Sequence, residues 1–212
     1  SQFYKNMKTI KTQPSLLSKI QNDFIGLDTV YTLADGSKTP RVYLDSTAST
    51  LMMGKAYDLV EKFLDHYANS HSLLHFSAKI STTQYQWAHD RVLSFLGADP
   101  EIYTCFFTGS GTTAGINRLA RVFRDYQPDK DVVLVSVMEH HSNDLPHRKH
   151  SGKVIHVKLD NHESGQPGCL SLTDLELNLK KYHGRVNYVA ITGISNVTGI
   201  INPIHDIARS EE

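Results

Sequence analysis

Apolar positions in the first half of the chain recur at spacings of three and four, the period of one helix face. Leu16, Leu17, Ile20 and Phe24 place one side of a short helix over residues 14–27. Ala56, Leu59, Val60, Phe63, Leu64 and Tyr67 predict a longer helix over Leu51–Ala68. A second long helix is predicted from about Ser81 to Leu96, where Gly97 can adopt the left-handed closing conformation. Residues 69–80 between them are polar and rich in Ser and His, and read as a loop. Thr29–Leu33 and Arg41–Leu44 flank Asp35-Gly36 and predict a hairpin whose loop exceeds two residues.

From residue 103 the pattern changes to short apolar runs alternating with amphipathic stretches. Tyr103–Phe107, Val132–Val137, Val154–Leu159 and Val186–Ile191 read as strands, all roughly parallel. The first run leads into Gly109-Ser110-Gly111-Thr112-Thr113 and then a helix with Ile116, Leu119, Ala120 and Phe123 on one side. Thr173-Asp174-Leu175-Glu176 has the form of a capping box opening a helix that Gly184 can close. Asn202-Pro203 resembles an N-cap followed by proline at the first helical position. Alternating strands and helices predict an α/β fold: three αβα layers around a mostly parallel sheet with right-handed crossovers.

Composition excludes several classes. The 212 residues hold 40% apolar residues, and Lys plus Arg equal Asp plus Glu at 22 each. There is no basic excess to attract nucleic acid or an anionic membrane surface. No apolar run nears the ~20 residues that cross a bilayer. The N-terminal stretch lacks the apolar block of a secretory signal. With only Cys105 and Cys169 there is no disulfide framework, so a reducing, cytoplasmic setting is expected. Cys105, placed in a buried strand, reads as a small core residue.

Ligands of parallel sheets bind beyond the carboxyl ends of the strands. That singles out three loops: Gly109–Thr113, Glu139–His147 and Gly193–Gly199. Gly109 and Gly111 permit positive φ, and the helix start behind them has unsatisfied N–H groups suited to a phosphate. An ordinary strand-to-helix turn capped by threonine remains the other reading of this stretch. The second loop offers a histidine for stacking or proton transfer, and the third offers an amide. Glu139, His140, His141, His147 and His150 could supply metal ligands, but their spacing matches no helical H-E-x-x-H pattern, so no metal site is assigned.

The motifs together resemble a known family. Tyr43-Leu44-Asp45-Ser46-Thr47-Ala48-Ser49-Thr50 is similar to the Y-L-D-x-A-A-T-T opening of class V aminotransferases, the group that contains cysteine desulfurases and selenocysteine lyases. Tyr67-Ala68-Asn69-Ser70-His71 looks like the loop after their first long helix. Phe107–Asn117 resembles their F-T-x-G-T-T-x-x-I-N phosphate loop. Glu139–Pro146 is close to E-H-H-S-N-x-x-P, and Ser195–Gly199 followed by Pro203 resembles S-N-V-x-G-x-x-x-P.

The resemblance implies the first part of a fold-type I enzyme using pyridoxal 5′-phosphate. Residues 41–212 would then belong to its large cofactor domain, behind an N-terminal segment of residues 1–40. Gly111, Thr112 and Thr113 would hold the cofactor phosphate. His140 would stack on the pyridine ring and move protons, and Asn196 would hydrogen-bond the ring oxygen. His71 would lie near the site at a subunit boundary of a homodimer. The implied substrate is an amino acid, with loss of sulfur or selenium from cysteine or selenocysteine as the reaction. Transamination, epimerisation, kynurenine cleavage or a non-catalytic binding module are the alternatives. Thr47 and Ser49 depart from the family's usual alanine and threonine. None of the lysines here lies in the motif that carries the cofactor, and the aspartate that pairs with the pyridine nitrogen also belongs further downstream. These 212 residues alone are therefore expected to be inactive.

Overall fold

The computed structural model describes residues 20–161 and 167–209. Contacts divide the chain into two compact units, residues 1–105 and 106–212. No helix among the described residues is long and apolar enough to cross a membrane.

In the first unit, β1 (Val30–Thr32) pairs antiparallel with β2 (Lys38–Pro40), Val30 opposite Pro40 and Thr32 opposite Lys38. The second strand lies nearer the turn than the sequence pattern places it. The cause is local: the Asp35 carboxylate accepts bonds from both the amide and the hydroxyl of Ser37, and the Leu33 amide reaches the Ser37 carbonyl at 2.8 Å. Pairing therefore begins at once, at Lys38. Of the helix expected over 14–27, residues 14–19 lie outside the described residues. Gln21–Asp23 form a single 3-10 turn, and Phe24 leaves it extended to bridge Met53.

Helix α1 (Gly54–Leu64) is shorter than expected, and α2 (Phe76–Leu96) starts earlier, inside the stretch read as loop. The His75 ring accounts for the early start, because its Nδ1 accepts the Ala78 amide as an N-cap. Gly97, at φ 64°, closes α2 as anticipated. Ser81 is buried and its hydroxyl accepts the Ala68 amide at 3.0 Å, while Thr82 donates to the Ser72 carbonyl at 2.9 Å. Those two bonds tie the loop before α2 to its first turns.

The second unit is built on a parallel sheet of order β4–β3–β7: β3 (Val132–Ser136) is central, between β4 (Lys153–Val157) and β7 (Val186–Ala190). All five β3 residues are buried, as an apolar central strand demands. Side chains alternate across it. Val132 and Leu134 join a core with Val157, Leu170, Leu175, Tyr182 and Ile207. Val133 faces a cavity with Ala120 and Tyr188 on the other side. Helices α3 (Gly111–Tyr126) and α4 (His141–His150) pack on each other and on the sheet, and α5 (Leu172–Lys181) packs on β4. A short antiparallel pair, β5 (Leu159–Asn161) and β6 (Pro167–Leu170), and α6 (Ile204–Arg209) complete the unit.

Three expectations need correction. Tyr103–Phe107 is not a strand; Tyr103 and Phe106 are 58% and 65% exposed. Among the described residues no strand lies beside it, and apolar composition alone does not make a strand without ladder partners. Cys105 is accordingly half-buried rather than a core residue. The cap of α5 is Ser171, whose hydroxyl accepts the Asp174 amide, two residues before the expected box. Asp174 is drawn there because its carboxylate also takes the Lys158 amide at 2.9 Å, where β4 ends. The stretch after Val137 is not a loop but α4, with Pro146 inside it.

Candidate functional site

Helix α3 fixes the first part of the site. Gly109 and Gly111 have φ of 83° and 66°, so the turn needs glycine at both. The Gly111 amide folds back onto the Gly109 carbonyl at 2.5 Å. Ser110, at the N-cap, makes no side-chain capping bond. The amides of Gly111, Thr112 and Thr113 therefore start the helix without a side-chain cap, in an exposed turn. The only described side-chain bond into that turn is Asn117 Nδ2 donating to the Thr113 carbonyl at 2.8 Å.

The other end of α3 is fixed by its contacts with β7. Asn187, near the start of β7, donates to the Phe123 carbonyl at 3.0 Å and the Lys130 carbonyl at 3.1 Å. The Phe123 and Tyr188 rings sit 5.0 Å apart. Gly111 lies twelve residues before Phe123, about 18 Å along the helix axis. The α3 start and its partial positive charge thus lie about 18 Å along the helix from that contact.

His140 stands at that same edge, directly after β3 and at the N-cap of α4. Its Nδ1 accepts the Ser142 amide at 3.1 Å and lies 2.8 Å from the Ser142 hydroxyl; the ring is otherwise exposed. His141 is the next residue, its ring 6.2 Å away and tilted. Asn196 is exposed in the loop after β7, the neighbouring strand. That loop is closed by a bridge between Ile194 and Ile201 and by Ser195, whose buried hydroxyl accepts the Val197 and Thr198 amides. Gly199 completes it at φ 72°. The parallel pairing of β3 with β7 therefore brings His140 and Asn196 to one edge.

Two side chains hold that edge together, Glu139 as a hydrogen-bond acceptor rather than a metal ligand and Asn202 as a clamp rather than a helix cap. Glu139 accepts from the Ser136 hydroxyl (2.7 Å), the Thr192 amide (2.5 Å) and Asn143 Nδ2 (2.7 Å). Asn202 is not a helix cap. It is buried, its Oδ1 accepts the Leu170 amide at 2.8 Å, and its Nδ2 donates to the Thr192 carbonyl at 2.7 Å. A polar residue spaced for contact with two strand exits leaves no periodic signal, so only the E-H-H-S-N and S-N-V-x-G patterns around them hinted at importance.

Electrostatics sort the histidines of α4. Burial pushes the His147 imidazole below its ordinary value, and its neighbours Asp144 and Glu139 only partly oppose this. Burial, helped by Lys149, Arg124 and Arg121, likewise lowers His150. Tyr188 is pushed up to about 12 by burial. Burial works to raise Asp144, but hydrogen bonds from His156 (2.8 Å) and Arg148 (2.6 Å) outweigh it and hold the carboxyl below its usual range. Of the residues weighed as metal ligands, Glu139 and His147 are thus engaged in hydrogen bonds. Among the described residues no cluster of three or more His, Cys, Asp or Glu is placed to hold a metal.

Comparison with known proteins places the chain in a family. The sequence matches the family described as Aminotransferase class-V over residues 42–211. It is 33% identical over 176 residues to a cysteine desulfurase of Enterobacter sp. (strain 638), covering 79% of this chain and 40% of that protein. It is 30% identical over 176 residues to a probable cysteine desulfurase of Halalkalibacterium halodurans, covering 81% and 41%. Its fold matches the apo structure of a cysteine desulfurase from Thermococcus onnurineus NA1 with a TM-score of 0.69 at 22% identity, over 91% of this chain and 44% of that one. The chain thus spans about two fifths of the length of these curated relatives. With the αβα sheet, the glycine turn and the strand-end loops in the family's order, this chain belongs to the class-V aminotransferase family.

Proposed function

We propose that this chain forms the first part of the cofactor domain of a pyridoxal-phosphate enzyme that removes sulfur or selenium from cysteine or selenocysteine. The domain begins near residue 41, after an N-terminal segment of residues 1–40. The observation that supports this reading best is that His140 and Asn196 follow neighbouring parallel strands, at one edge of the sheet. The residues present fit the cofactor. A Cβ at Gly109 or Gly111 would meet nothing within 4 Å, so the turn is open to a phosphate. The His140 ring and the Asn196 amide are exposed, and each is available to an aromatic ring bearing a polar oxygen.

Pyridoxal phosphate, when bound, supplies an aldehyde and a ring that accepts electrons from an amino acid's α-carbon. The chain's own residues bind and orient. In the Gly111–Thr113 turn the amides of Thr112 and Thr113 take the phosphate, with their hydroxyls beside them. His140 stacks on the ring; its Nδ1 is occupied by Ser142, which leaves Nε2 to hold or move a proton. Asn196 donates to the ring oxygen. The cysteine desulfurases it resembles favour sulfur removal over the family's other reactions. This reading carries with it a homodimer in a cytoplasmic setting. Leu59, Val60 and Leu64 leave an apolar face of α1 uncovered at 68%, 58% and 61%, which supports a further partner surface.

The test is a titration of pyridoxal phosphate against the protein and against Thr113→Pro. Thr113 is the third residue of α3, so proline there removes a free donor and no intrahelical bond. Affinity is expected to fall at least tenfold with helix content retained. Equal affinity for both proteins would exclude this turn as the phosphate site.

A further inference from the structure

We propose that Glu139 is the positioning residue of this edge, and that its carboxylate sets the direction of a hydrogen-bond chain running through Asn143 and His147 to Tyr188. The argument is one of donors and acceptors. A carboxylate accepts only. Its Oε1 is taken by the Ser136 hydroxyl and the Thr192 amide, and its Oε2 by Asn143 Nδ2. Asn143 must therefore turn its nitrogen to Glu139 and its oxygen to His147. That oxygen lies 3.1 Å from His147 Nε2, so Nε2 carries the proton. Nδ1 is left as an acceptor, and the Tyr188 hydroxyl, 3.0 Å away, donates to it. Each link has one compatible polarity, and Glu139 determines it.

The chain also has a mechanical consequence. Ser136 ends β3, Asn143 lies in the first turn of α4, and Thr192 follows β7. One carboxylate thus joins two strand exits and a helix start. His140 is its immediate neighbour in sequence, and Asn196 lies four residues beyond Thr192. Glu139 touches no reacting atom; it acts through the loops that carry His140 and Asn196. It is 2.5 Å from the Thr192 amide, so a displacement of the carboxylate must displace the start of the Asn196 loop. His147 is 3% exposed, so water is not placed to substitute for a lost link.

The test reads the His147 ring nitrogens by ¹⁵N NMR on the full chain. In the wild-type protein the proton is expected on Nε2. Glu139→Gln puts an amide nitrogen opposite Asn143 Nδ2, donor against donor. Asn143 then flips, His147 Nε2 becomes an acceptor, and the proton moves to Nδ1 to face the Tyr188 oxygen. A merely structural role would not invert the tautomer. A wild-type proton on Nδ1, or a tautomer unchanged in a folded Glu139→Gln variant, overturns the proposal. If that variant does not fold, a through-bond coupling between the Thr192 amide and the Glu139 carboxyl carbon in the wild type decides, and its absence overturns it.

The positioning role rests on the cofactor reading above and has its own arm. Pyridoxal phosphate should bind Glu139→Gln about tenfold more weakly, the factor carried by 1.4 kcal/mol. Equal binding by wild type and variant overturns the positioning role. No binding by the wild type defeats the cofactor reading instead, while the tautomer still decides the direction of the chain.

Discussion

Replacing Asn202 by alanine should destabilise the second unit far more than its single side chain suggests. Asn202 is 3% exposed, and both ends of its amide are used. Its Oδ1 takes the amide of Leu170, which is itself fully buried, and its Nδ2 reaches the Thr192 carbonyl. Alanine leaves a buried N–H without an acceptor, at about 1–3 kcal/mol. The Thr192 carbonyl is half-buried and keeps a second lone pair, so its loss adds about 1 kcal/mol or less. A sum of about 1–4 kcal/mol is a large share of the ~5–15 kcal/mol that holds a domain together. Urea unfolding followed by far-ultraviolet circular dichroism would measure it. With a slope of about 2 kcal/mol per molar, the midpoint should fall by about 0.5–2 M. Asn196→Ala is the control: its side chain is exposed, so its effect should stay within about 0.5 kcal/mol. If both variants lose the same small amount, Asn202 is not the clamp described here.

Two glycines should respond differently to alanine. A Cβ at Gly168 would sit 2.5 Å from the Asp160 carbonyl oxygen, which backbone pairing holds in place, so Gly168→Ala should cost about 1–3 kcal/mol; a neutral result in thermal unfolding would count against the β5–β6 pairing. At Gly193 the obstacle is Ile204 Cδ1 at 2.8 Å, a side-chain end that can turn aside, so Gly193→Ala should cost clearly less in the same assay. Acid should weaken the fold in two stages. The folded-state values of His147 and His150 lie below the ordinary 6.5, so the unfolded chain binds more protons, and their contribution is complete above about pH 6.5 and is lost as pH falls through the folded values. Asp144 acts lower, its contribution being lost below the usual carboxylate value. His147→Gln should flatten the first stage in a pH series of urea midpoints; an unchanged slope would show that His147 is not the group responsible.

Most of the second unit was legible because its elements obey local rules. Val132–Ser136 is buried on both faces and reads as a nearly unbroken apolar run, while Val186–Ala190 and Lys153–Val157 are partly buried and carry valines around Asn187 and His156. The failures share a cause. Tyr103–Phe107 has a strand's composition, but a strand exists only with ladder partners, and these come from elsewhere in sequence. His75 extended α2 backwards through a ring nitrogen acting as cap, which propensity does not anticipate for histidine. Helix α4 was hidden by Pro146 and by a polar run, His141 to Asp144, that looks like a loop. Proline is the sixth residue there, beyond the first turn where it is harmless, and the packing of α4 on α3 overrides its cost.

The candidate site residues rest on chemistry rather than on period. Gly111, Thr113, His140 and Asn196 could each be named because each is a residue type with a ligand to offer at a strand end. The groups that position them could not, since a side chain whose partners are two or three backbone groups far along the chain has no characteristic spacing. Glu139 was visible only as a candidate ligand and Asn202 only as a candidate cap. In the fold both serve the exit of β7, Glu139 from the amide of Thr192 and Asn202 from its carbonyl. One residue, Thr192, is therefore gripped through both its amide and its carbonyl just before the loop that carries Asn196. Backbone held this way cannot drift without breaking a bond to a half-buried carboxylate or to a buried amide. That restraint is what a loop needs if a single exposed asparagine is to meet a ring oxygen at a fixed place.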